Sequence, residues 1–353
     1  MDLIIPKKLN KGDTVGVVSP SAGLANIFPH RVRQGVQALE KLGFKVVFAP
    51  NSLKRDGYVS GTPRERADDL HAMFADLNIK AIICTIGGNH SNQILKYLDF
   101  ELIKKNPKIF IGYSDITILH YAFAKKAKLR TFYGPCLMPE FGEYPEILDY
   151  TREYFERAVA NEETIGIIGS SETWTDEFLD WEEKKDRERP RNLFSNEGYE
   201  WWREGEAKGE IFGGAIPTIN HLAGTEYWVD PKGKIFFIDI PEGDVPGKAF
   251  FLSWLDSFLS DLDNLNVFSS IKGLVIGRPY AYTKQDSQWL KERILFYTAG
   301  QKYPIIYNVN IGHVTPIITV PMGAMAQLDS SKNAFTILES GVSVKIKRPH
   351  NDV

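Results

Sequence analysis

The sequence predicts an α/β protein whose N-terminal part is a parallel, Rossmann-like sheet covered by helices. Three observations carry that expectation. Short β-rich runs alternate with helical periodicity through the first 135 residues. Several of the runs, such as Ala81-Ile-Ile-Cys-Thr-Ile86, are apolar throughout, as in strands covered on both faces. And the runs ending at Ser19, Ile86 and Tyr113 each give way to Ser, Pro or Gly before a helix begins.

Taken in order, Thr14-Val-Gly-Val-Val-Ser19 is a strand that ends in the turn-forming Pro20-Ser-Ala-Gly23. Val32, Val36 and Leu39 then repeat at helical spacing, on a helix that ends near Gly43. Lys45-Val-Val-Phe-Ala49 is the next strand. Thr62-Pro-Arg-Glu65 starts a helix, with Thr as N-cap, Pro at the first position and Glu closing a capping box. The strand Ala81–Ile86 leads through Gly87-Gly88-Asn89 to a helix around Ile94, and the strand Phe110–Tyr113 to a helix over 116–125. Residues 140–165 read as helical. The stretch 170–208 is polar and charged yet holds Trp174, Trp181, Trp201 and Trp202, which either pack it onto a domain or line a cleft.

From Gly209 the composition is globular again. Gly213-Gly214-Ala-Ile-Pro217 reads as a turn, Gly233–Asp239 and Gly273–Gly277 as strands, and the segments around Leu255 and around Trp289–Phe296 as helices. Ala334–Leu338 and Val342–Ile346 suggest a terminal hairpin about Ser340-Gly341. The expected division is an N-terminal domain over 1–168, a Trp-bearing connector over 169–208 and a C-terminal domain over 209–353.

Composition narrows the function classes. The chain has 353 residues, 43% hydrophobic and 25% charged, which suits a two-domain globular protein. With 42 basic and 45 acidic residues the net charge is −3, and no long basic run suggests nucleic acid as a partner. Cys84 and Cys136 stand far apart in apolar segments, as free thiols in a reducing cytoplasm would. No stretch approaches the roughly 18 apolar residues of a membrane span, and the first residues lack a signal-peptide pattern. No glycine-rich dinucleotide or P-loop motif is present, and no His-Glu-x-x-His or Cys/His cluster. Neither cofactor nor metal is therefore expected.

Candidate chemistry gathers at strand ends, where open α/β sheets bind ligands. In Gly112-Tyr-Ser114-Asp115, a serine sits between a strand and a helix. Such a serine either caps the helix or exposes its hydroxyl as a nucleophile. A nucleophile needs a base and an acid that orients it. Of the seven histidines, His71 and His120 lie in helical patterns, and His30, His90, His221 and His350 have no special setting. His313, between Gly312 and Pro316 on a short loop, is the candidate base, or else a turn histidine bonded to backbone. Asp239 ends the strand Ile235 to Ile238 and is the candidate acid, with Glu242 as its competitor. An oxyanion hole needs two convergent N–H groups. Gly88 and Asp115 are the candidate donors, although Gly87-Gly88 could equally be a tight turn or a phosphate cradle.

Six blocks, Val17-Val-Ser-Pro-Ser-Ala22, Cys84-Thr-Ile-Gly-Gly-Asn89, Ile111-Gly-Tyr-Ser-Asp-Ile-Thr117, Phe132-Tyr-Gly-Pro135, Phe212-Gly-Gly214 and Gly312-His313, occur in the order found in LD-carboxypeptidase-like serine peptidases, which the chain resembles. Within that family it is similar to the microcin C self-immunity peptidases, in the block Ile86-Gly-Gly-Asn-His-Ser-Asn92 and the insertion Ser171-Glu-Thr-Trp-Thr-Asp176. It lacks the Arg-Gly-Gly-Tyr-Gly block of murein-recycling members.

The resemblance implies a C-terminal swivelling α/β domain with β-rich elements, a homodimer and a Ser–His–Glu triad. By position Ser114 matches the nucleophile, His313 the base, and Gly88 and Asp115 the oxyanion donors. The acid position holds Asp239, one methylene shorter than the family's Glu. Trp174, Trp181 and Asn89 match substrate-binding positions. The implied activity is a cytoplasmic serine carboxypeptidase cleaving a peptidyl or aminoacyl nucleotide of the microcin C kind. Alternatives are an L,D-carboxypeptidase acting on muropeptides, or a non-catalytic two-domain small-ligand binder in which the shortened acid marks lost activity.

Overall fold

A computed structural model describes residues 1–349. Its strands, in chain order, are β1 (Thr14–Val18), β2 (Lys45–Phe48), β3 (Ile79–Cys84), β4 (Ile109–Gly112), β5 (Phe132–Tyr133), β6 (Gly166–Ile168), β7 (Thr173–Trp174), β8 (Phe194–Ser195), β9 (Glu200–Arg203), β10 (Glu206–Ala215), β11 (Ile235–Asp239), β12 (Gly273–Gly277), β13 (Ile305–Val309), β14 (Val320–Pro321), β15 (Met325–Asp329) and β16 (Ala334–Ile337). Two main sheets result. The first has the order β14-β5-β4-β3-β1-β2, parallel except for β14. The second has the order β6-β16-β15-β10-β11-β12-β13-β9. Its centre, β10 to β13, is parallel and its flanks are antiparallel.

All of β4, β11 and β12 is buried, because helices cover both faces. In the first sheet the strand order reverses between β1 and β3, which opens a crevice at their carboxyl ends. The loops after β1, β3 and β4 meet there. The capping box at Thr62 forms as its sequence suggests: Thr62 Oγ accepts from the Glu65 N–H at 3.2 Å, and Glu65 accepts from the Thr62 N–H at 2.9 Å. Both cysteines are buried and free. Among the described residues no helix is long and apolar enough to cross a membrane.

Three local expectations need correction. Helix in the 140–165 region is confined to a π turn at Leu137–Phe141 and to Asp149–Val159. Gly213-Gly214 lies inside β10 rather than in a turn, packed so tightly that a Cβ on Gly213 would come within 2.0 Å of the Phe237 carbonyl oxygen. The terminal hairpin is instead β15–β16, because the turn forms earlier, where Asp329 caps Ser331 and Asn333 takes a left-handed conformation. Residues 343–347 turn back to bridge Lys7 and Ile5.

Candidate active site

The turn that carries Ser114 is built by β4. Its apolar run ends at Gly112, Tyr113 is extended, and Ser114 adopts φ +64°, a conformation that non-glycine residues take only when their surroundings impose it. A 3₁₀ turn over Ser114–Ile116 then leads into the helix Thr117–Ala122. The Ser114 side chain does not cap this helix. Its Oγ–H instead points to His313 Nε2, 2.9 Å away.

His313 Nδ1 lies 2.8 Å from Asp239 Oδ2 and 3.0 Å from Oδ1, and the His313 N–H donates to Oδ1 at 3.3 Å. Since an ionised carboxylate can only accept, Nδ1 carries the proton and Nε2 is free to accept from Ser114. Asp239 is fully buried at the end of β11. It reaches His313 because Gly312, at φ +97°, lets the loop come in: a Cβ there would sit 1.8 Å from Oδ1. Burial pushes His313 toward the neutral form, but the Asp239 charge and hydrogen bond, then the charges of Glu242 and Glu140, outweigh it and raise its pKa. Glu242 lines the cavity without a hydrogen bond to His313, so Asp239 and not Glu242 holds the imidazole.

Gly87 abuts Ser114; a Cβ on it would come within 2.7 Å of Ser114 Cβ. The loop is pinned by Asp115, whose Oδ2 accepts from Ser21 Oγ at 2.6 Å, the His90 N–H at 2.9 Å and the Ser91 N–H at 2.8 Å. Neither the Gly88 nor the Asp115 N–H is engaged with another backbone group among the described residues. Thr117 ties the turn to the second sheet, donating to the Ser114 carbonyl and accepting from the Ala215 N–H.

A cavity of about 980 Å³ opens over this set, lined by Ser114, His313, Gly88, Asn89, Trp181 and Glu242 among others. Trp181 carries the Arg31 guanidinium 4.5 Å from its ring centroid and Phe28 edge-on at 5.5 Å. Arg31 is in turn bonded to Asp186 at 3.1 Å, which ties the Trp181 segment to the helix Pro29–Lys41. The other three tryptophans of the 169–208 segment face elsewhere. Trp174, expected to contact substrate, lies outside the cavity lining, beneath Arg278 at 4.2 Å and beside Phe194. Trp201 donates to Asn333, and Trp202 stacks on Tyr307.

Of the other histidines, His120 is a core residue bonded to Thr131 and the Gly112 carbonyl, held near pKa 4 by burial. His221 lines the cavity, and His350 lies outside the described residues. Two neighbours of the site carry no mark of their role in the sequence, although Tyr133 falls in the block Phe132-Tyr-Gly-Pro135. Tyr133 bonds both Ser114 and Asp239. Glu140 is buried beside the cavity, accepts from Tyr113 and the Cys136 N–H, and is raised by burial to a pKa of about 7. Among the described residues no group of three or more His, Cys, Asp or Glu side chains is placed to hold a metal ion.

A buried carboxylate, an imidazole and a serine hydroxyl in one hydrogen-bonded line, beside unspent N–H groups, is the arrangement used in acyl transfer by serine hydrolases. The chain belongs to the LD-carboxypeptidase family: residues 15–134 match its N-terminal domain and 208–328 its C-terminal domain. It is 31% identical to the microcin C7 self-immunity protein MccF of Escherichia coli over 97% of this chain and 98% of that one. It is 30% identical to the "Probable murein peptide carboxypeptidase" of Bacillus subtilis over 96% and 95%. A structure of MccF in complex with aspartyl sulfamoyl adenosine is similar at a TM-score of 0.87, with 31% identity, covering 96% of this chain and 99% of that one. The MccF-like protein from Bacillus anthracis gives a TM-score of 0.84, with 38% identity and 95% and 99% coverage.

Proposed function

We propose that this protein is a serine carboxypeptidase-type hydrolase that cleaves an amide bond in a peptidyl or aminoacyl nucleotide. The observation that carries the reading is the continuous hydrogen-bonded line from Ser114 Oγ through His313 to the buried Asp239. Ser114 attacks the amide carbonyl while His313 Nε2 takes its proton. Asp239 keeps the imidazole in the required tautomer and stabilises the imidazolium. The N–H groups of Gly88 and Asp115 receive the oxyanion, each worth about 10²–10³ in rate. His313 then protonates the leaving amine, and water, activated by the same imidazole, releases the acyl group from Ser114.

The nucleotide part of the reading is supported by Trp181 in the cavity wall and by the ligand named for the MccF structure, aspartyl sulfamoyl adenosine. An indole in the cavity wall, fixed by Arg31 against its ring, can stack with a nucleobase, worth roughly 1–3 kcal/mol. In this reading segment 169–208 is a connector that brings Trp181 to the cavity. A second reading, carboxypeptidase action on an L,D-linked muropeptide, is favoured by the similarity to the murein peptide relative. The binder reading loses its motive, since the shorter acid does contact His313.

The test is a hydrolysis screen of an aminoacyl-sulfamoyl adenosine against an L,D-tetrapeptide, with wild type and Ser114→Ala. Turnover of the nucleoside substrate by wild type alone is expected. Turnover of the tetrapeptide alone would transfer the assignment to the second reading. Equal turnover by Ser114→Ala would remove the mechanism.

A further inference from the structure

We propose that Tyr133 is a positioning residue that couples the nucleophile turn to the acid. This rests on the hydrolase reading above. β5 pairs with β4 so that Tyr133 stands opposite Gly112, at the strand end from which Ser114 departs. The phenol oxygen accepts from the Ser114 N–H at 3.2 Å and donates to Asp239 Oδ2 at 2.5 Å. One hydroxyl thus spans two sheets and two of the three residues of the relay, using a donor and an acceptor function at once.

The ring does not depend on a ligand for its position. It is buried, edge-on to Phe237 at 5.0 Å and to Tyr113 at 6.2 Å. Burial and the adjacent Asp239 charge push its ionisation far above neutral pH, so the O–H remains a donor to the carboxylate. Two consequences follow. The bond to the Ser114 N–H helps hold a residue at φ +64°, which would otherwise relax. The bond to Oδ2 competes with His313 for the carboxylate's negative charge, so it both fixes the carboxylate orientation and moderates the basicity of the imidazole.

The groups facing His313 are Asp239, Glu242 and Glu140 as charges and Tyr113 as an aromatic edge at 5.0 Å. Removing the Tyr133 hydroxyl leaves each of these side chains present and deprives Asp239 of one donor. Asp239 then holds the His313 proton more tightly, and the acid limb of reactivity moves to higher pH.

The experiment measures the rate of Ser114 labelling by a fluorophosphonate as a function of pH, which needs no knowledge of the natural substrate. It compares wild type, Tyr133→Phe, Asp239→Asn and the double variant, with thermal melts to confirm folding. Expected for Tyr133→Phe are a plateau rate about tenfold or more lower, as for loss of a hydrogen bond to a charged group, and a midpoint shifted upward. In the Asp239→Asn background, adding Tyr133→Phe should cost much less, because the hydroxyl has lost the charge it acts through. An unmoved midpoint, or two losses that simply multiply, overturns the proposal. Failure of wild type to label at Ser114 would instead overturn the hydrolase reading on which it rests.

Discussion

Gly312 and Asp239 are packed so closely that a methyl group on Gly312 would lie 1.8 Å from Asp239 Oδ1. In the proposed mechanism this contact lets an aspartate fill the position where the family resemblance implies a glutamate. The histidine loop comes in to meet the shorter acid, and the His313 N–H and Nδ1 both land on the carboxylate. Gly312→Ala should therefore push His313 out of line and lower turnover by about 10³ or more, approaching the cost of losing the orienting acid. Asp239→Glu should not improve the enzyme, because an added methylene at a fully buried position costs about 1–3 kcal/mol. Turnover and thermal melts check both variants; a faster Asp239→Glu enzyme would show that the loop approach is not what compensates.

The pH dependence of activity and of stability should run in opposite directions. His313 must be neutral to take the Ser114 proton, and its pKa is raised above the ordinary 6.5, so the rate should rise with pH through a midpoint higher than that. For stability, a histidine with a raised folded pKa contributes fully below 6.5, and that contribution fades as pH climbs through the folded value. Glu140 adds to the same trend. Its carboxyl is raised by burial from 4.5 to about 7, so the folded state binds the proton more tightly and loses ground as pH rises across that interval. Melting temperature should fall from about pH 5 to about pH 7 as Glu140 ionises and keep falling as His313 loses its proton, and Glu140→Gln should flatten the first part of the fall. Melts across that range read the result.

Trp181 and Trp174 should separate binding from folding. Trp181→Ala should weaken an aminoacyl nucleotide by roughly 1–3 kcal/mol, seen in KM, while fluorophosphonate labelling of Ser114 continues. Trp174→Ala should leave KM unchanged and lower the melting temperature, because this indole is packed between Arg278 and Phe194 outside the cavity lining. Steady-state kinetics and melts on the pair distinguish the two roles.

Much of the site was legible because a parallel sheet gathers strand carboxyl ends in one layer. Ser114 and Asp239 each stand where an apolar strand ends, and Gly87-Gly88 follows another, so the pattern of apolar runs makes them candidates and the six blocks in family order single them out. What stayed hidden depends on pairings across long stretches of chain. Tyr133 ends a two-residue strand, and nothing near it indicates that its hydroxyl meets Asp239, 106 residues away. The four tryptophans of the connector look alike in sequence. Trp181 is held at the cavity by Phe28 and by Arg31, whose salt bridge to Asp186 joins residues 155 apart. The terminal hairpin differs from the expected one for a local reason: the chain already reverses at Asp329 to Asn333, where Asp329 caps Ser331 and Asn333 is left-handed.

The nucleophile can be tested by incubating the native protein with a fluorophosphonate and locating the adduct by peptide mass mapping. One adduct per chain, on the peptide containing Ser114 and absent from Ser114→Ala, is the predicted result. No adduct, or an adduct on another residue that survives Ser114→Ala, would contradict the assignment of Ser114 as the attacking group.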